Sequence, residues 1–263
     1  MYDFTYQRPS SLDAAAKALA AGEDAMLLAG GHTLIPTLKQ RLARPSDLVD
    51  LAGVPDLVGI SRQGNAIVIK AMTTHGAVAS SKEVAEAIPA LAALCALIGD
   101  PQVRVRGTIG GSVANNDPAA DYPAALVGLG ATVTTNKGSH AADDFFTGMF
   151  ETALDEGEII TSVSFPIPKR GAYQKFPNPA SRYALVGVFV AEAADGVRVA
   201  VTGAGPCVFR VPEMEKALAG RFQADAITGI SVDAGGLNSD IHASAEYRAH
   251  LVSVMAARAV AAA

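Results

Sequence analysis

Two pairs of adjacent glycines, Gly30-Gly31 and Gly110-Gly111, place the tightest constraint on how this 263-residue chain can fold. Glycine accepts positive φ and allows another backbone, or a ligand, to approach closely. Each pair therefore marks a sharp turn or a point of close contact. The first pair follows the apolar run Ala25-Met26-Leu27-Leu28-Ala29 and precedes His32-Thr33-Leu34-Ile35-Pro36. This order reads as strand, glycine turn and helix. A helix start offers free N–H groups and a positive dipole end, which together suit an anion. An ordinary strand-to-helix turn has the same pattern.

The second pair sits in Thr108-Ile109-Gly110-Gly111-Ser112-Val113-Ala114-Asn115-Asn116-Asp117-Pro118-Ala119-Ala120-Asp121. Thr108 and Ser112 can donate to phosphate, and Asp121 can accept from sugar hydroxyls. A surface loop rich in turn formers is the plainer alternative. Together, the pairs suggest two clamps on one extended anionic ligand. Each hydrogen bond to a charged oxygen contributes roughly 1.5–3 kcal/mol, so a few suffice. Neither pair completes a GxGxxG fingerprint or a P-loop, which disfavours a Rossmann NAD site and a nucleotide triphosphatase.

The rest of the chain alternates helical and strand patterns. Ser10 can cap a first helix, with Leu12, Ala16 and Leu19 on one face and Gly22 as its stop. A helix is expected over residues 33–42 and a strand at Asp47-Leu48-Val49-Asp50-Leu51. Residues 57–62 and 66–71 read as a hairpin around Gly64-Asn65. Residues 81–87 and 89–98 read as helices, 104–121 as a loop-rich stretch, and 122–129 as a helix. Strands are expected at 131–135 and 158–165.

Pro166, Pro168 and Gly171 then mark a boundary. Strands at 172–176, 184–193 and 197–203 follow, the last two joined at Asp195-Gly196, with closing helices near 211–219 and 245–262. The class is α+β with two domains, 1–170 and 171–263, and lobes of about 1–55 and 56–170 in the first.

Composition narrows the function. The formal net charge is −5 and no Lys/Arg cluster occurs, which argues against a nucleic-acid binder. Cys95 and Cys207 lack a CxxC spacing, cannot hold an iron–sulfur cluster, and suit a reducing compartment. The start Met1-Tyr2-Asp3-Phe4 has no signal-peptide pattern, and the longest apolar stretch, near residues 89–98, is too short to span a membrane. A cytoplasmic location is expected.

The two glycine loops, at their separation, resemble those of the FAD-binding medium subunits of the molybdenum hydroxylases. That family includes the carbon monoxide dehydrogenase medium subunit and the flavin domain of xanthine dehydrogenase. The resemblance extends over the whole chain. It takes in Thr73-Thr74-His75, Arg106-Gly107, Tyr173-Gln174-Lys175-Phe176, Ser181-Arg182-Tyr183-Ala184 and Glu246-Tyr247-Arg248.

It implies a two-lobed FAD domain of the vanillyl-alcohol-oxidase/PCMH type and a smaller C-terminal α+β domain. It also implies that Ala29, Gly30, Gly31, His32, Thr33 and Leu34, with Thr108, Ile109, Gly110, Gly111 and Ser112, embrace the pyrophosphate of FAD. Asp121 would bind on the sugar or ribityl side and Ile160 would touch the flavin. Tyr183 would shield a flavin face or pack on the core. No catalytic side chain is required, because the cofactor supplies the redox chemistry.

The implied partners are a small iron–sulfur subunit and a large molybdenum-cofactor subunit. The chain would pass electrons from iron–sulfur clusters to an external acceptor. A stand-alone flavin oxidoreductase with its own small substrate is the alternative.

One departure stands out. Xanthine dehydrogenase relatives carry a Lys where this chain has Pro177, so either Lys175 substitutes from two residues earlier or no cation acts there. In the related vanillyl-alcohol-oxidase-type flavoproteins, a His after the diglycine can bond covalently to flavin; here non-covalent binding is expected, with His32 lining the loop. For His75, proximity to flavin and a capping or core role are both open. Tyr247-Arg248 is expected to pin the last helix or to meet a partner subunit.

Overall fold

A computed structural model describes all 263 residues. The first fifty residues build a small parallel sheet. Strand Asp47–Asp50 is central, with Thr5–Gln7 on one side and Met26–Leu28 on the other, both parallel to it. Parallel neighbours need crossovers, and helices Leu12–Ala21 and Leu34–Lys39 supply them. Ser11, rather than Ser10, caps the first helix, its Oγ accepting from Ala14 N–H at 3.2 Å. Gly22 ends that helix, but with negative φ. A Cβ there would stand 2.8 Å from Ala25 Cβ, so the turn is crowded.

An antiparallel five-stranded sheet follows, in the order Ile60–Gln63, Ala66–Lys70, Ile160–Pro166, Thr132–Thr135, Ser139–Ala141. Helices Pro89–Ala96 and Tyr122–Leu129 are apolar on nearly every side and are sunk into its core. The 104–121 stretch departs from its sequence reading. It contains a helix, Ile109–Asn115, ended by Asn116 in the left-handed region. Its Gly, Ser and Asn content reads as loop, yet Ile109 and Val113, four residues apart, are both fully buried in the main core. Packing overrides the weak local propensity.

The third sheet runs Arg170–Pro177, Ala184–Ala193, Gly196–Thr202, Phe209–Arg210, all antiparallel. Strand Ala184–Ala193 reads as a continuous apolar run because both its faces are covered. Val186, Val188 and Val190 pack with the long helix Ala245–Ala262. Phe189 and Ala191 point the other way, into the core of the five-stranded sheet. Gly128 makes room for this contact: a Cβ there would lie 2.9 Å from Phe189 Cδ1.

Arg248 pins the last helix to the sheet. Its guanidinium donates to the carbonyls of Leu185 (2.7 Å) and Gly203 (3.0 Å) and to Asp240 Oδ2 (2.8 Å). Removing it orphans two buried carbonyls. Arg248→Met should lower the unfolding free energy by about 3 kcal/mol. Urea denaturation checks this; an unchanged midpoint would mean the helix is held by its apolar face alone.

Candidate functional site

The two diglycine segments meet at one cavity of about 650 Å³. That volume is in the range of cofactor pockets, roughly 300–1,000 Å³. The first segment arrives from strand Met26–Leu28 and leaves into helix Leu34–Lys39. Gly31 has φ of +72°, which favours glycine. Gly30 has a different reason: a Cβ there would lie 2.2 Å from the carbonyl oxygen of Arg106. This loop therefore rests directly on the backbone that leads into the second one. Between residues 30 and 34, no backbone N–H donates to another backbone group. Successive unpaired N–H groups of this kind form a concave anion site.

The second segment is built differently. Thr108 caps helix Ile109–Asn115, its Oγ1 accepting from Gly111 N–H at 3.3 Å. The N–H groups of Ile109 and Gly110 donate to Thr73 O (3.1 Å) and Ala71 O (2.8 Å). This helix start is thus tied to the end of strand Ala66–Lys70 and has fewer free main-chain donors than its sequence suggests. Gly110 is required by that contact, since a Cβ there would stand 2.7 Å from Ala71 Cβ. Gly111 is not. Its Cβ would meet only Thr108 Oγ1 at 3.1 Å and Ala29 Cβ at 3.6 Å, in the gap between the loops. Ser112, half-buried, lines the same wall.

The other expected residues converge on this cavity. Ile160, buried at the start of its strand, lines it beside Ile159. Tyr183 lines it too and is 47% exposed, so it is not a core aromatic. A tight turn presents it: Asn178 Oδ1 accepts from Ala180 and Ser181 N–H, Asn178 N–H donates to Tyr183 O at 2.7 Å, and Arg182 takes φ of 63°. His32 is exposed at the cavity.

Asp121 lines the cavity but is already engaged. Tyr173 Oη donates to Oδ1 at 2.5 Å and Lys175 Nζ to Oδ2 at 2.8 Å. Burial pushes its pKa up, against the pull of the Lys175 charge. Lys175 bonds Asp121 and the Leu97 carbonyl at 3.1 Å and does not line the cavity.

Several lining residues are given no role of their own by the sequence. Asp117, from the second glycine segment, and Ser181-Arg182, from the turn before Tyr183, reach the same cavity only through folding. Glu158 is another. Its buried carboxylate accepts from Thr135 Oγ1, from Asp155 N–H at 2.8 Å, and pairs with His140 Nε2 at 2.9 Å. The sequence gives His140 no partner, because 18 residues separate it from Glu158. His75, for which the sequence left two readings open, begins helix His75–Ser80 and lines the cavity. Its imidazole pKa is pushed down to about 4 by burial, then by the nearby His32 and Arg104 charges.

Comparison with known proteins matches this geometry. Residues 2–168 match the FAD binding domain in molybdopterin dehydrogenase, and residues 171–263 the CO dehydrogenase flavoprotein C-terminal domain. The chain belongs to this flavoprotein family. It is 38% identical to the carbon monoxide dehydrogenase medium chain of Afipia carboxidovorans, over 98% of this chain and 95% of that one. It is 36% identical to the nicotine 6-hydroxylase medium subunit of Paenarthrobacter nicotinovorans, over 97% and 95%. Among solved structures it superposes on reconstituted CO dehydrogenase from Oligotropha carboxidovorans with TM-score 0.90 and 36% identity, covering 98% of this chain and 96% of that one. Quinoline 2-oxidoreductase from Pseudomonas putida 86 gives TM-score 0.89 and 31% identity, with 99% and 96% covered.

Glu158 carries a pH signature. Burial pushes its carboxyl up, but the bonds from Thr135, His140 and Asp155 outweigh this and hold it at about 2, against an ordinary 4.5. A depressed carboxyl stabilises the fold fully above its unfolded pKa and loses that contribution as pH falls through the folded value. The stability gap between wild type and Glu158→Gln should be widest near neutrality and shrink below pH 4.5 toward about 2. Urea titrations at stepped pH measure it, and a gap of constant size would refute the assignment.

Proposed function

We propose that this chain holds FAD non-covalently in the 650 Å³ cavity and serves as the flavin station of a multisubunit molybdenum hydroxylase. The observation that carries the reading is the row of unpaired N–H groups at residues 30–34, which line the same cavity as Gly111. An anion seated there needs no basic side chain. The match to an FAD binding domain supports reading that anion as the pyrophosphate of FAD.

In this reading Ala29, Gly30, Gly31, His32, Thr33 and Leu34 grip one side of the pyrophosphate. Thr108, Gly110, Gly111 and Ser112 form the other side, where Gly111 gives clearance and Ser112 supplies a hydroxyl, while Ile109, expected there too, is buried in the core behind them. Asp121, oriented by Tyr173 and Lys175, faces the sugar or ribityl side. Ile160 packs against the flavin, and the turn ending in Tyr183 sets an aromatic ring over it. Bound FAD supplies two-electron and one-electron chemistry, while this chain binds, orients and shields it.

The partners are a small iron–sulfur subunit and a large molybdenum-cofactor subunit, in a heterotrimer or its dimer. Electrons pass from the iron–sulfur clusters to the flavin and on to an external acceptor. Relatives named for carbon monoxide and for nicotine have similar medium subunits, which supports a substrate site on another chain. Two unpaired cysteines, one of them buried, fit a cytoplasmic location. No helix is long and apolar enough to cross a membrane.

Protein from the native host should be yellow, release its flavin on acid precipitation, and co-purify with one larger and one smaller chain. Colour retained in the precipitate would point to a covalent bond at His32, and a chain active alone with an organic donor would favour a stand-alone flavin oxidoreductase. Gly111→Val should lose FAD while its melting temperature stays within a few degrees of the wild-type apoprotein. Gly30→Val, whose side chain meets backbone, should instead lose several kcal/mol of stability. Full FAD occupancy in folded Gly111→Val would count against the two-clamp site.

A further inference from the structure

The segments Thr73-Thr74-His75 and Arg106-Gly107 form one contact. His75 N–H donates to Gly107 O at 2.9 Å. A Cβ on residue 107 would lie 2.5 Å from His75 Nε2. Gly107 is thus the residue that leaves room for the imidazole. The ring is 5% exposed, packs against Tyr122 with centroids 5.4 Å apart, and forms part of the cavity wall together with Gly107.

His75 Nδ1 is buried without a hydrogen-bond partner. A buried polar atom left alone requires an explanation. An orphaned N–H is rarer than an under-used lone pair, so the proton belongs on Nε2, the nitrogen beside Gly107. That places one N–H on the side of the cavity where it is most needed. The helix start at Ile109–Asn115 has its first N–H groups engaged by Thr73, Ala71 and Thr108, leaving Ser112 as the nearby free hydroxyl.

We propose that His75 is an FAD-binding residue, a neutral imidazole that donates Nε2–H to an acceptor atom of the bound dinucleotide. Gly107 and Tyr122 hold its ring in position. The inference rests on the reading that this cavity takes FAD. Arg104 lies close enough to disfavour a second positive charge on the ring, so the donor works without being ionised.

The test uses the full-length chain, stripped of flavin and titrated with FAD by fluorescence quenching, in wild type, His75→Phe and His75→Gln. His75→Phe keeps a ring against Tyr122 but has no donor; His75→Gln keeps a donor. We expect FAD binding about tenfold weaker in His75→Phe, a loss on the order of one hydrogen bond. Binding within about threefold of wild type is expected in His75→Gln, with both apoproteins melting within a few degrees of wild type. Wild-type affinity in His75→Phe would overturn the proposal, as would equal losses in both variants. An early melt of His75→Phe together with full affinity at low temperature would make the residue purely structural. A wild-type chain that takes up no FAD would bring down the functional reading itself, and is distinguishable because it needs no variant.

Discussion

The contact between Gly30 and the Arg106 carbonyl holds the rest of the site in register. A Cβ at residue 30 would come within 2.2 Å of that oxygen, so the parallel lobe and the antiparallel lobe are joined backbone to backbone. No side chain can slide or repack to loosen such a joint. The gap that Gly111 leaves open is a consequence of it. The same joint fixes where the N–H groups of residues 30–34 point and how far they stand from the wall carrying Ser112 and His75. Gly30 and Gly110 are required by protein packing and Gly31 by its positive φ, whereas Gly111 borders the gap between the loops.

Electrostatics adds a second order to the cavity. Helix Pro89–Ala96 ends at its edge, and three cations converge on the carbonyls beyond it. Lys175 reaches Leu97 O at 3.1 Å, Arg104 reaches Ile98 O at 3.0 Å, and Arg182 reaches Gly99 O at 3.2 Å. Each completes the hydrogen bonding of a helix C-terminus and meets the negative end of its dipole. Lys175 is balanced by Asp121, and Arg182, which lines the cavity, makes no salt bridge. The cavity wall also carries the carboxylates of Asp117, Asp121 and Glu158, so its charge is mixed.

Much of the fold was legible from short-range pattern. The apolar runs at Met26–Leu28 and Ala184–Ala193 and the short Leu48-Val49 segment between aspartates fall on strands, and Pro89–Ala96 and Tyr122–Leu129 on helices, because length and punctuation decide such segments. The two glycine pairs were visible for the same reason. What stayed hidden depends on distant contacts. Nothing local tells a helix from a loop at Ile109–Asn115, where Thr73 and Ala71 supply the acceptors for its first turn. Glu158 and His140 pair across strands. Asp121 looks free in the sequence, yet Tyr173 and Lys175, more than fifty residues later, take both its oxygens. Gly22 and Gly30 read as turn glycines but are set by crowding.

Strand Ala184–Ala193 belongs to two cores at once, with valines facing the last helix and Phe189 facing the helices of the middle lobe. Tyr183 is the residue immediately before it. The aromatic wall of the cavity is therefore the free end of a beam clamped on both sides, and its position is inherited from the most enclosed strand in the chain. A polypeptide that had emerged only as far as residue 170 would possess both glycine loops and lack the ring over them. The cavity acquires its full outline from the C-terminal third, which contributes few of its walls but decides when it is closed.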